Sequence, residues 1–194
     1  MKENILITGG SGLLALNWAA TMREKFNITL GLHDRKVNLK GTKSILLDLD
    51  SKEALTKVFD ELQPQLVIHP AGLTNVEACE ANPTLAKYIN VDLTKNLVMV
   101  CAKLNVPMVY ISTDHLFSGN ESLIDENFSV SPMNVYAKTK EEAETYVQNT
   151  YPKALIIRTN FYAWGTSYRQ SFSDMVINNL RAGKKISLFK DIYY

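Results

Sequence analysis

The sequence predicts an α/β fold built on a doubly wound parallel sheet, and three observations carry that prediction. Short apolar runs alternate with helical patterns along almost the whole chain. Several of those runs are apolar at consecutive positions rather than at every second one. The first run enters a glycine cluster that opens directly into a helix. Consecutive apolar residues mark parallel strands covered on both faces, and strict alternation of strand and helix builds right-handed crossovers.

Taken in order, the strand candidates are NILIT (4–8), ITLGLH (28–33), SILLD (44–48), QLVIH (65–69), VPMVYIS (106–112) and ALIIRT (154–159). Helices are expected over 12–25, 51–62, 83–104, 134–149 and 171–182. Ser51, ahead of Ala54 and Leu55, reads as an N-cap, and Pro83 suits a first helical turn. Pro64 and Pro107 mark passages from helix to strand. The one long connection, 113–133, is rich in Ser, Asn, Asp and Glu, and such a connection usually carries function or moves. A seventh apolar run, KISLF (185–189), precedes DIYY. Two tyrosines at a chain end read as a boundary inside a larger fold, the alternative being a terminal strand whose aromatics pack down.

The 194 residues suffice for one sizeable domain with a core. Lysine and arginine number 21 against 20 acidic residues, interspersed, so charge offers no purchase for nucleic acid or an anionic membrane. No stretch approaches the roughly 18 apolar residues of a membrane span, and the run after Lys2 is too short for a secretory signal. Cys79 and Cys101 are too few for a disulfide framework and lack metal spacing. They read as buried free thiols in a reducing cytoplasm, with no metal site.

The turn TGGSGLL places Gly9, Gly10 and Gly12 between the first strand and the first helix. Without side chains, backbone N–H groups and the helix N-terminus can face a pyrophosphate. Gly9 and Gly12 fit the tight turn and the close approach, and Leu13 and Leu14 follow at the helix start. Ala15 stands where a third glycine often sits; a methyl is admitted there and should pack the helix on the strand. Asp34 lies at the end of the second strand, about 20 residues beyond Gly12, where a ribose-binding carboxylate belongs. Arg35 follows at once and suits a 2′-phosphate, so the signals conflict and lean to NADP over NAD, with dual use open. Asp48, beside Leu49 after the third strand, could accept from an adenine amino group or cap the next helix.

In PMNVYAKTK, Tyr136 and Lys140 stand one helical turn apart and share a face, whereas Lys138 points elsewhere. A phenol is a poor acid at neutral pH, but a nearby ammonium favours the phenolate and is expected to lower its pKa. Tyr136 then serves as general acid to a carbonyl oxygen receiving a hydride, and Lys140 can also hold the nicotinamide ribose. Ligands of open α/β sheets sit at the carboxyl ends of strands. VYISTDH offers Thr113 there as a carbonyl-orienting hydroxyl, with Ser112 as the alternative.

These stretches, with VIHPAGLTNVEACEANP, NVDLTKNL, STDHLFSG and RTNFYAWG, resemble the extended short-chain dehydrogenases/reductases that act on nucleotide-linked sugars, Rossmann-fold enzymes. More narrowly they resemble the dTDP-4-dehydrorhamnose reductase group, over essentially all 194 residues. The resemblance implies a reductase of a 4-keto sugar nucleotide with Tyr136 as proton donor, Lys140 as ribose binder and Thr113 orienting the carbonyl. It adds Ala71, Gly72 and Asn90 to the cofactor-binding residues, Asn90 through a proton relay. Thr74, His115 and Asn160 become substrate-binding candidates, His115 standing where this group often has a tyrosine. Arg158 should support the sheet end, and His69 should be a buried, hydrogen-bonded histidine rather than a base. Members of the group continue well past this length. Residues 1–194 are therefore expected to form the NAD(P)-binding domain, with 159–194 the start of a substrate lobe that is largely absent. A homodimer is the candidate assembly. Two other classes share the fold: a non-catalytic NADP-binding regulatory subunit of methionine adenosyltransferase, and an epimerase or dehydratase that retains its cofactor.

Overall fold

The computed structural model describes residues 2–120 and 123–188. Its sheet has six strands: β1 (Asn4–Ile7), β2 (Asn27–Leu32), β3 (Lys43–Leu46), β4 (Leu66–His69), β5 (Met108–Ile111) and β6 (Leu155–Ile157). They lie in the order β3-β2-β1-β4-β5-β6, every pair parallel. The order reverses at β1, which pairs Ile5 with Ile28 on one side and with Leu66 on the other. That reversal opens a crevice at the carboxyl ends of β1 and β4. This is the Rossmann-type architecture the alternating pattern predicts.

The helices are α1 (Leu13–Met22), α2 (Lys52–Leu62), α3 (Val76–Ala81), α4 (Pro83–Lys87), α5 (Leu93–Leu104), α6 (Val135–Thr150) and α7 (Phe172–Arg181). Ser51 caps α2 by accepting from the Ala54 N–H at 3.0 Å, and Pro83 sits in the first turn of α4 behind Asn82. Ile5, Ile7, Leu30 and Ala15 form one core between sheet and α1. Leu6, Val67, Tyr110, Phe59, Leu97 and Val147 form the other, with α2, α5 and α6. Both cysteines are buried and free.

Three expectations change. The single helix over 83–104 is interrupted by a π-helical turn at Tyr88–Asp92, and α3 precedes it. A π turn inserts one residue into the helical ladder, which no apolar period announces. The outer strands are covered on one side only: Leu46 on β3 and Leu155 on β6 stay exposed because each edges the sheet. Of the seventh apolar run, residues 185–188 form no strand, while residue 189 and the terminal tyrosines lie outside the described residues. No described helix is long and apolar enough to cross a membrane.

Candidate functional site

The glycine turn is built as its sequence demands. Gly9 has φ +57°, and a Cβ there would lie 2.9 Å from the Ala71 backbone. At Gly10 a Cβ would meet Leu30 at 2.7 Å, a requirement the sequence did not show. Gly12 is the N-cap of α1, so the first helical N–H groups beyond it have no intrahelical acceptor. Leu13, Leu14 and Ala15 line the cavity that opens there. Ala15 is nonetheless buried against β1 and β2, as its methyl predicts.

That cavity, about 600 Å³, runs from the glycine turn to the amino end of α6. It brings together Gly9, Gly12, Leu13, Leu14, Arg35, Ala71, Gly72, Thr74, Thr113, His115, Tyr136, Lys140 and Asn160 of the residues expected from the sequence. Asp34, Asp48, Leu49 and Asn90 are not brought to it. Asp34 is exposed beside His33, and backbone N–H groups hold its carboxyl below the usual range. Asp48 accepts from the Asp50 N–H at 2.9 Å, and Ser51 rather than either aspartate caps α2. Leu49 packs against the core.

Asn90, 1% exposed, works from behind the cavity wall. Its Oδ1 accepts from Leu73 N at 2.7 Å, and its Nδ2 donates to Leu73 O at 3.1 Å and to Thr139 Oγ1 at 3.0 Å. Thr139 in turn donates to Tyr136 O at 2.8 Å. The π turn thus ties the loop after β4 to the turn of α6 that bears Tyr136. Gly72 is needed because a Cβ there would lie 2.9 Å from Asn90 Oδ1.

Tyr136 and Lys140 are both nearly buried, 9% and 5% exposed. Asn134 caps α6 through the Ala137 N–H, and the His115 ring meets Tyr136 edge-on at 5.7 Å. Lys138 is exposed. The Lys140 ammonium donates to Ile111 O at 2.7 Å and lies 4.2 Å from the Tyr110 ring centre. Burial brings its pKa down to about 7, with Glu144 opposing. The expected lowering of the Tyr136 phenol is not found. Burial raises it, Asp114 and Cys79 add to the rise, and only a hydrogen bond with Thr113 pulls it down. Desolvation of a buried phenol outweighs its neighbours here.

Thr113 Oγ1 accepts from His115 N at 3.2 Å, whereas the buried Ser112 hydroxyl on the same wall has no partner among the described residues. Arg158 pairs with Glu144, Nη2 to Oε1 2.5 Å, and stays outside the cavity at the sheet end.

His69 is buried between Thr8 Oγ1 (2.6 Å, Nδ1) and Thr94 Oγ1 (2.9 Å, Nε2). Thr94 donates to Asn90 O, so Nε2 must carry the proton and Nδ1 must accept from Thr8. Burial, then the Lys140 charge, lowers its pKa to about 3. The folded protein therefore keeps His69 neutral while the unfolded chain protonates it below about 6.5, so stability present above that pH is lost as pH falls toward 3. Between pH 7 and 5 this residue should cost about 2 kcal/mol, at 1.36 kcal/mol per unit. Urea unfolding of wild type and His69→Asn at both pH values checks it: equal losses in the two proteins contradict the assignment.

Sequence reasoning missed Tyr168 and Arg169, which reach the cavity from beyond β6. Tyr168 Oη donates to Ser11 O at 2.8 Å, and Arg169 Nη2 to Thr74 Oγ1 at 3.4 Å. Their only signal was an aromatic and basic cluster, SYR, after RTNFYAWG.

Comparison with known proteins agrees with this fold. The family model described as RmlD substrate binding domain matches residues 1–193. A probable low-salt glycan biosynthesis reductase of Haloferax volcanii is 31% identical over 189 residues, 95% of this chain and 63% of that protein. Mouse methionine adenosyltransferase 2 subunit beta is 30% identical over 157 residues, 81% of this chain and 46% of that one. A crystal structure of dTDP-4-dehydrorhamnose reductase from Bacillus anthracis in complex with NADP superposes with a TM-score of 0.77 at 28% identity, over 94% of this chain and 60% of that one. The chain thus spans about three fifths or less of the length of these relatives. By the match along nearly its whole length, the chain belongs to the RmlD substrate binding domain family.

Proposed function

We propose that this protein binds NADP(H) and reduces the keto group of a nucleotide-linked sugar, as a reductase of the short-chain dehydrogenase/reductase type. The observation that carries the reading is one cavity joining a side-chain-free turn at a helix N-terminus to Thr113, Tyr136 and Lys140. The residues present suit a dinucleotide: Gly9 and Gly12 put no side chain into the cavity, and the buried Ser112 hydroxyl on its wall has no partner among the described residues. Gly9, Gly12, Leu13 and Leu14 would hold the pyrophosphate, Arg35 a 2′-phosphate, and Lys140 the ribose beside the nicotinamide. When bound, the reduced nicotinamide supplies the hydride.

The chain's residues supply the rest. Thr113 and Tyr136 orient the carbonyl oxygen, and Tyr136 Oη delivers the proton that completes the hydroxyl. A phenol raised above its ordinary value remains protonated at neutral pH, the state a proton donor needs. Thr74, His115 and Asn160 line the part of the cavity where the sugar would lie. Mixing the protein with NADPH and a 4-keto sugar nucleotide should consume NADPH stoichiometrically with the hydroxy product. Binding without consumption contradicts the reductase reading.

One observation favours a second reading: mouse methionine adenosyltransferase 2 subunit beta matches 81% of the chain. Co-purification with a synthetase, without NADPH turnover, would support that non-catalytic role.

A further inference from the structure

We infer that Tyr168 sets the cofactor preference by holding Arg35 in place, a step that rests on the NADP(H) reading above. Arg35 stands on irregular chain after β2 and is exposed. A long cation in such a place samples many rotamers, and a 2′-phosphate would have to order it on binding. Its guanidinium carbon lies 4.4 Å from the centre of the Tyr168 ring. A cation–π contact of this kind holds the guanidinium without a hydrogen bond, so its N–H donors stay available for a phosphate.

Tyr168 is itself held. Its Oη donates to Ser11 O at 2.8 Å, inside the glycine turn and next to Gly12. The segment that carries it forms a strap across the cavity mouth. Asn17 Nδ2 on α1 donates to Trp164 O at 2.9 Å, and Arg169 Nη2 reaches Thr74 Oγ1 on the far side. Thr166 N donates to Arg169 O at 2.8 Å, closing the strap on itself. Asp174 Oδ2 accepts from both Gly165 N (2.8 Å) and Ser171 N (2.9 Å), pinning the strap to α7. Gly165 has to be glycine, because a Cβ would overlap the Asp174 carboxylate. One tyrosine therefore links the turn that would meet the pyrophosphate to the arginine that would meet the 2′-phosphate.

The test is the ratio of NADPH to NADH affinity, measured by titrating each dinucleotide into wild type, Tyr168→Ala, Tyr168→Phe, Arg35→Ala and the double alanine variant. Tyr168→Ala should lower the ratio about threefold to fivefold, the scale of an exposed cation–π contact. Tyr168→Phe, which keeps the ring and loses only the bond to Ser11, should retain most of the ratio, the other ties of the strap still holding the ring. In the Arg35→Ala background, Tyr168→Ala should leave the ratio unmoved. A general loosening of the strap lowers both affinities together and does not change their ratio, so an unchanged ratio in Tyr168→Ala overturns the inference. Wild-type protein that binds neither dinucleotide overturns the cofactor reading instead.

Discussion

Gly12→Asp should abolish NADPH binding at ordinary concentrations while the chain still folds. Gly12 is the N-cap of α1, with φ −78° and ψ 159°, a conformation open to any residue. Aspartate is among the best N-cap residues, and the glycine makes no side-chain cap. The added Cβ lies 3.1 Å from Gly9 O, so the turn must give by a few tenths of an ångström, which offsets the gain from the cap. The carboxylate, however, stands where the pyrophosphate charge would lie. Juxtaposed like charges cost several kcal/mol, so affinity should fall at least about 100-fold. A variant that folds but does not bind separates lost recognition from lost folding. Thermal unfolding and NADPH titration of the same preparation give both readings, and wild-type affinity in the variant would contradict the assignment of this turn.

Tyr136→Phe carries the next largest effect. The ring is 9% exposed and packs edge-on against His115, so phenylalanine keeps the packing and removes only the hydroxyl. If that hydroxyl donates the proton, turnover should fall by about 10²–10⁴-fold with NADPH affinity little altered. The pH profile adds a second check. The phenol is raised above its ordinary value and does not titrate near neutrality, whereas Lys140 is brought down to about 7. Lys140 is charged below that pH and neutral above it, so NADPH binding through its ammonium should weaken as pH rises through about 7. Steady-state turnover and NADPH titration across pH 6–9 measure both. Undiminished turnover in Tyr136→Phe rules out the acid role.

Much of this site was legible because its signals are local. The glycine turn is seven residues long, and Tyr136 and Lys140 are one helical turn apart. Arg35 was legible only in part: Asp34 and Arg35 gave opposite signals, and the structure turns Arg35, not Asp34, to the cavity. Asp48 and Leu49 sit at the right strand end, but one is engaged in a local turn and the other in the core. Asn90 lay inside what read as uninterrupted helix; its clamp on Leu73 depends on a π turn and on a loop 17 residues away.

By itself, then, the sequence determined the parallel α/β alternation, the glycine turn between β1 and α1, and the tyrosine–lysine pair, since each follows from periodicity or spacing over a few residues. Only the tertiary structure decided the acidity of Tyr136 and Lys140, because desolvation depends on everything packed around a group. It alone also brought Tyr168 to Ser11 across 157 residues of chain. Contacts of that span are made by the packing of whole elements, and no local pattern encodes them.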